Sequence, residues 1–256
     1  MPKLNDVNTN DIAAAIRLGC RTMHNVFDAD DGGVPFFRSL VEPETLLAFS
    51  AVHSEAHVPG RHLNALLSAE DAIGAAVDEV AIGNHRRAAF LSYSGPVALP
   101  LNREVKDGSP LNFCPHNLRE GFHALYALAR FRDDREAREL AEKSIAAVGE
   151  LWDADDGWDL PVLEQLGLVY QDSRGFIQGE ARMLGPLVKY YRVTGYAPAL
   201  DLALVLKEKA VNEFYLPDGS FDQQRFNTSH SHSTVSYTHL RAHETDSYLV
   251  CRLLLE

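Results

Sequence analysis

Five carboxylates in this 256-residue chain stand where a loop gives way to a helical pattern: Glu120, Asp156, Asp159, Asp172 and Glu180. Paired carboxylates are acid–base and nucleophilic machinery. They cleave a glycosidic bond with retention when about 5–5.5 Å apart, or with inversion when about 6.5–9.5 Å apart. Glu180 is the first choice for the acid, because it sits one turn into a helix beside Gln178 and Arg182. Its structural alternative is complementing the helix dipole, worth about 0.3–1 kcal/mol. Asp31, Asp156 and Asp218 each follow an aromatic by four residues, after Phe27, Trp152 and Phe214. Recurrence favours a turn role for all three. Asp159 and Glu120 are not repeated in this way, which leaves them with Glu180 as the catalytic candidates. The long loops around them carry Trp158, Tyr170, Arg174, Phe176, Phe221 and Arg225. Aromatic faces beside carboxylates and arginines suit a polar, ring-shaped ligand such as a sugar; the plain alternative is that they close the loops over helices.

Other chemistries fit less well. Asp28-Ala29-Asp30-Asp31-Gly32-Gly33 resembles a calcium loop, but Ser39 stands at the twelfth position where a bidentate Glu is needed. His53 and His57 are spaced i, i+4 and could share a metal, but the zinc-protease order is missing, and packing beside Pro59 explains them as well. There is no Gly-rich phosphate loop and no nucleophile elbow. No metal and no cofactor are expected. A net charge of −12 argues against a nucleic-acid partner. No apolar run is long enough to cross a membrane, and the polar start lacks the order of a signal peptide. The expected location is cytoplasmic, and the oligomeric state is open.

The elements that must position these groups recur. The separations of Phe27, Trp152 and Phe214 are 125 and 62 residues, two periods and one, which predicts stacked supersecondary units. Asn10 or Asp11 caps a first helix with apolar residues at Ile12, Ile16, Cys20, Met23 and Phe27. Further helices are expected over Glu44–Glu55, His62–Ile73 and Asp78–Phe90, with Pro59-Gly60 as a break. Residues 92–115 are the least regular part. Helical hairpins follow at 117–152 and 179–214, in which Arg130 aligns with Arg192, Leu140 with Leu202 and Trp152 with Phe214. Their apolar stripes need neighbouring hairpins to cover them. Within hairpins the turns are tight and between them the connections are long, so the long loops share one end of the stack.

The tail is of a different kind. Val235–Thr245 and Leu249–Glu256 resemble translations of a transposon-type sequencing adapter. On that reading residues 1–234 form one C-terminally truncated domain and 235–256 are non-native, outside fold reasoning. Cys20 and Cys114 then read as isolated reduced thiols.

The aromatic-to-Asp-Gly turns, the hairpins at 117–152 and 179–214, and the segments leading into them, 114–120 and 174–182, resemble the six-hairpin glycosidase superfamily. Residues 57–63 and 229–233 are vaguely similar to its β-L-arabinofuranosidase-like branch, although the cysteine-rich zinc site of that branch is absent. The resemblance implies an all-α fold, an incomplete (α/α)6 toroid with a period of about 62 residues and roughly four of its six hairpins. It implies a carbohydrate-active enzyme fragment, first of all a glycoside hydrolase. Glu180, Asp159 and Glu120 are then catalytic, and His116, Asn117, Trp158, Arg174, Gln178, Arg182, His230 and His232 contact a carbohydrate substrate. A polysaccharide lyase or sugar epimerase on the same ring is one alternative, with Tyr170, Arg174 and His116 as its groups. A non-catalytic helical-repeat binding module is the other. Fold alone does not choose among them.

Overall fold

A computed structural model of the chain describes residues 11–41, 45–171, 175–218, 220, 222, 224 and 225. Arg174, His230, His232, Asp172, Phe221 and the whole tail at 235–256 lie outside them. The described residues contain eight α-helices, and short strands occupy the connections between them. The helices are α1 (Ile12–Met23), α2 (Val58–Ile73), α3 (Glu79–Ser92), α4 (Leu118–Arg132), α5 (Arg135–Leu151), α6 (Leu160–Gln165), α7 (Leu184–Thr194) and α8 (Ala197–Phe214). None is long and apolar enough to cross a membrane.

Local chemistry sets most helix boundaries. Asp11 caps α1 by accepting from Ala14 N, Asp78 caps α3 through Val80 N, and Asp134 caps α5 through Ala137 N. Asp133, with φ of 50°, ends α4, so a two-residue joint turns the chain between α4 and α5. Gly195 does the same between α7 and α8 with φ of 71°.

Packing sorts the helices into two rows. α4 lies between α2 and α7, while α3, α5 and α8 cover them from outside and α1 packs on α2. The core shared by these rows includes Leu63, Leu66, Leu67, Phe122, Leu125, Leu128, Leu187 and Tyr190, all essentially excluded from solvent. Burial of these side chains is the main stabilising term. Connections from α2, α4 and α7 to the next outer helix are short. Those returning to α2, α4 and α7 are long and carry all the short strands and the turns described below.

Three expectations are corrected. The helix expected over Glu44–Glu55 does not form: Thr45–Ala48 pairs antiparallel with Arg38–Val41, and a turn covers 51–57. Pro59-Gly60 does not break the chain but lies in the first turn of α2, where proline forfeits no helical hydrogen bond. Two of the three aromatic-to-Asp-Gly motifs begin in short strand pairs instead of a last helical turn, whereas Phe214 is the last residue of α8 as expected. Phe27 pairs with Pro35 and Trp152 with Trp158, and Asp222 N donates to Phe214 O. Residues 92–115 include two strands, Leu101–Arg103 and Pro110–Phe113, joined in parallel by Val169–Tyr170.

Candidate functional site

The entries to α2, α4 and α7 come together. His53 and His57 lie on the turn before α2, His116 and Asn117 on a 3-10 turn (Pro115–Asn117) before α4, and Glu180 and Arg182 on another (Glu180–Met183) before α7. Asn117 and Asn102 hold the 51–57 turn in place. Asn117 Nδ2 donates to Val52 O at 2.6 Å, Asn102 Nδ2 donates to the same oxygen at 2.9 Å, and Asn102 Oδ1 accepts from Ala56 N at 3.1 Å. α2 approaches α4 so closely that a Cβ on Gly60 would stand 1.6 Å from Glu120 O.

Glu120 is the electrostatic centre of this cluster and is fully buried. Its Oε1 accepts from Arg182 Nη2 at 2.8 Å, Arg119 Nε at 2.9 Å and Arg61 Nε at 3.3 Å. Its Oε2 is buried without a hydrogen-bond partner, 3.9 Å from His57 Nδ1. Burial alone would raise the Glu120 carboxyl, but the charges around it outweigh burial and hold it at about 2. His57 is pushed down to about 3 and His116 to about 4, chiefly by burial, and His53 is lowered for the same reason. The imidazoles are therefore neutral near pH 7, and the arginines supply the charge that keeps Glu120 ionised. Glu120 is thus a carboxylate locked among cations and not a proton donor.

Glu180 sits elsewhere. It is buried and its Oε1 accepts from Trp158 Nε1. It lines a pocket of about 330 Å³, walled by Trp152, Trp158, Tyr170 and Phe176, with Asp155, Asp156 and Lys209 also facing it. Trp152, Phe176 and Phe214 stack in series, with ring centroids 5.9 and 5.7 Å apart. Lys209 Nζ bonds Ala154 O and Glu213 Oε1, tying α8 to the Trp152–Trp158 turn. In that turn Asp153 accepts from both Asp155 N and Asp156 N. The turn role expected of Asp156 therefore belongs to Asp153, and Asp156 is exposed at the pocket. Of its counterparts, Asp31 pairs bidentately with Arg103 and Asp218 accepts from Ser220 N.

The sequence candidates divide accordingly. Glu120, His116, Asn117 and Arg182 share one cluster; Gln178 adjoins it, its carbonyl accepting from His116 Nδ1 at 3.0 Å. Glu180 and Trp158 belong to the aromatic pocket. Asp159 is exposed and caps α6 through Val162 N at 3.1 Å. Tyr170 lines the aromatic pocket while His116 lies against Arg182, so the groups named for a lyase fall in two places. The acidic loop at Asp28–Asp31 is taken by the chain's own cations, Lys106 on Asp28 and Arg103 on Asp31. Sequence reasoning missed Arg103, which also pairs with the buried Glu55 at 2.6 Å. It also missed the meeting of His116 with His53 and His57, because only the i, i+4 half of that trio is visible in the spacing. Neither a scan of protein-family models nor a search of curated proteins finds a match to this chain.

Proposed function

We propose that this chain is part of a carbohydrate-active enzyme, a glycoside hydrolase whose sugar ring occupies the pocket between Trp158 and Tyr170. The observation that carries the reading is a buried carboxylate, Glu180, set in an aromatic wall with two further carboxylates, Asp155 and Asp156, facing the same pocket. Aromatic faces take the apolar faces of a pyranose, and fixed polar groups orient its hydroxyls. About 330 Å³ suits one or two sugar rings. In this reading Glu180 pairs with Asp156 across the bond to be cleaved. The trio inferred from sequence changes accordingly: Glu120 organises the neighbouring cluster and Asp159 caps a helix. The two helix rows, with long connections returning to α2, α4 and α7, support an arc of an (α/α)6 ring as the architecture. Tryptophans in the wall provide the test. Titrating neutral and acidic mono- and disaccharides should shift Trp emission for a matching sugar, and aryl glycosides of that sugar should be hydrolysed. Glu180→Gln should lower hydrolysis by at least about a hundredfold while leaving the emission shift in place. A panel in which no sugar moves the emission, or hydrolysis untouched in both Glu180→Gln and Asp156→Asn, overturns the reading.

A further inference from the structure

We infer that His53, His57 and His116 form a binding site for one divalent transition-metal ion of the zinc class. One ring nitrogen from each lies within 4.8 Å of the others. A hydrogen bond on the far side of the ring fixes which nitrogen of His57 can ligate. Asn117 Oδ1 can only accept, since its amide nitrogen is spent on Val52 O, so His57 Nδ1 carries the proton at 3.1 Å. A backbone carbonyl likewise only accepts, so His116 Nδ1 donates to Gln178 O. His53 Nδ1 stands 3.3 Å from Ser50 Oγ and completes the pattern. His57 thus keeps its Nε2 lone pair for a metal, Ser50 Oγ can donate or accept and leaves either nitrogen of His53 to ligate, and Arg182 Nη1, 2.6 Å from both ring nitrogens of His116, withdraws before that ring ligates. Metal-binding histidines are oriented by outer contacts of this type, which set the tautomer and the ring plane.

A buried acidic group adjoins the trio. Glu120 Oε2 is fully buried and unpartnered beside this trio, although three guanidinium groups crowd onto Oε1. A buried carboxylate oxygen without a partner costs about 1–3 kcal/mol or more; Glu120 lies behind the trio, 3.9 Å from His57 Nδ1, and is not one of the ligands. Zinc with nitrogen ligands needs donors about 3.4 Å apart, given bonds of about 2.0–2.1 Å at tetrahedral angles. The His57 and His116 rings stack in parallel with centroids 5.5 Å apart, so capture of the ion turns one of them out of the stack. Three protein nitrogens leave a coordination position open, as in catalytic and not structural zinc sites. Neutral imidazoles select zinc, cobalt, nickel or copper over magnesium or calcium. Arg182 Nη1 stands 2.6 Å from both ring nitrogens of His116, so the metal displaces that contact while Arg182 keeps Glu120.

This inference does not depend on the sugar pocket. The chelator-treated protein should bind one Co²⁺ per chain with visible d–d bands, and Zn²⁺ in equimolar amount should abolish them; Mg²⁺ should do nothing. His53→Gln and His116→Gln, at half-buried positions, should each weaken binding more than about a hundredfold, and Asn117→Ala about 10–100-fold. His123→Gln, outside the trio, should leave the bands intact. Absence of stoichiometric Co²⁺ binding, or binding that survives both His53→Gln and His116→Gln, overturns the site. Sugar binding by Trp emission is read separately, so the two proposals stand or fall apart.

Discussion

Three guanidinium groups share one oxygen of Glu120, and the energetic consequence is lopsided. Arg61 and Arg119 reach solvent and keep part of their hydration, but the Arg182 side chain is only 2% exposed and has Glu120 as its carboxylate. Glu120→Gln would keep the shape and remove the charge on which the guanidinium groups of Arg61, Arg119 and Arg182 converge. Breaking a buried pair in this way costs about 3–5 kcal/mol, far more than the net worth of the intact pair. Urea unfolding of Glu120→Gln should show that loss, whereas Asp159→Ala should lose only a helix cap, about 1 kcal/mol. Equal midpoints for the two variants would mean that Glu120 is not the centre described. Glu120, His116, Asn117 and Arg182 were legible in the sequence because each sits at the start of a recognisable helix. Arg103 and Glu55 were not, since their contact joins residues 48 apart through a loop with no periodicity.

At the scale of elements, hydrophobic spacing located the helices and left the loops unread. The hairpins at 117–152 and 179–214 appear as α4–α5 and α7–α8, and Asp11, one of the two caps expected for the first helix, caps α1. The stretch 44–55 was misread because Leu46, Leu47, Phe49 and Val52 fit a helical stripe, while the partner strand Arg38–Val41 lies across a turn that spacing cannot reveal. Pro59-Gly60 was misread for a related reason. Proline is acceptable at a helix start, and Gly60 is required by a neighbour distant in sequence. Its Cβ position lies 1.6 Å from Glu120 O and 2.4 Å from Glu120 C, both backbone atoms within α4. No rotamer change relieves that overlap, so Gly60→Ala must push α2 away from α4. The loss should reach about 3 kcal/mol, the upper end for overpacking. It should also separate His57 and Arg61 from Glu120. Gly149→Ala, at a helical site with open space around its Cβ, should by contrast stabilise by up to about 1 kcal/mol. Urea midpoints of the two variants should therefore move in opposite directions from wild type.

Over the whole molecule, the docking of α1 makes stability sensitive to acid. Its C-terminal end is held by histidines. His85 Nε2 donates to Met23 O at 3.2 Å and faces His62 Nδ1 at 3.3 Å, and His24 Nε2 accepts from Asp78 N at 3.4 Å. His85 is fully buried, packs against Phe27 with the rings tilted by 55°, and has no partner for its Nδ1 among the described residues. Burial pushes His85 down to about 3, with His62 adding to the effect, and His62 is lowered to about 4. Both are lower folded than unfolded, so the unfolded chain binds protons first as pH falls. Their contribution is intact above the unfolded value of about 6.5 and is lost as pH drops toward 4. The slope has a ceiling of about 1.4 kcal/mol per pH unit for each group. Glu120, held at about 2, has the same sign in a lower window, from the ordinary carboxylate range downward. His85→Gln keeps a donor for Met23 O but cannot titrate. Its unfolding free energy should therefore fall less steeply than wild type between pH 6.5 and 4.5, whatever its value at pH 7. Urea unfolding at pH 7, 5.5 and 4.5 gives both slopes; parallel lines would show that α1 is not secured by a neutral histidine pair.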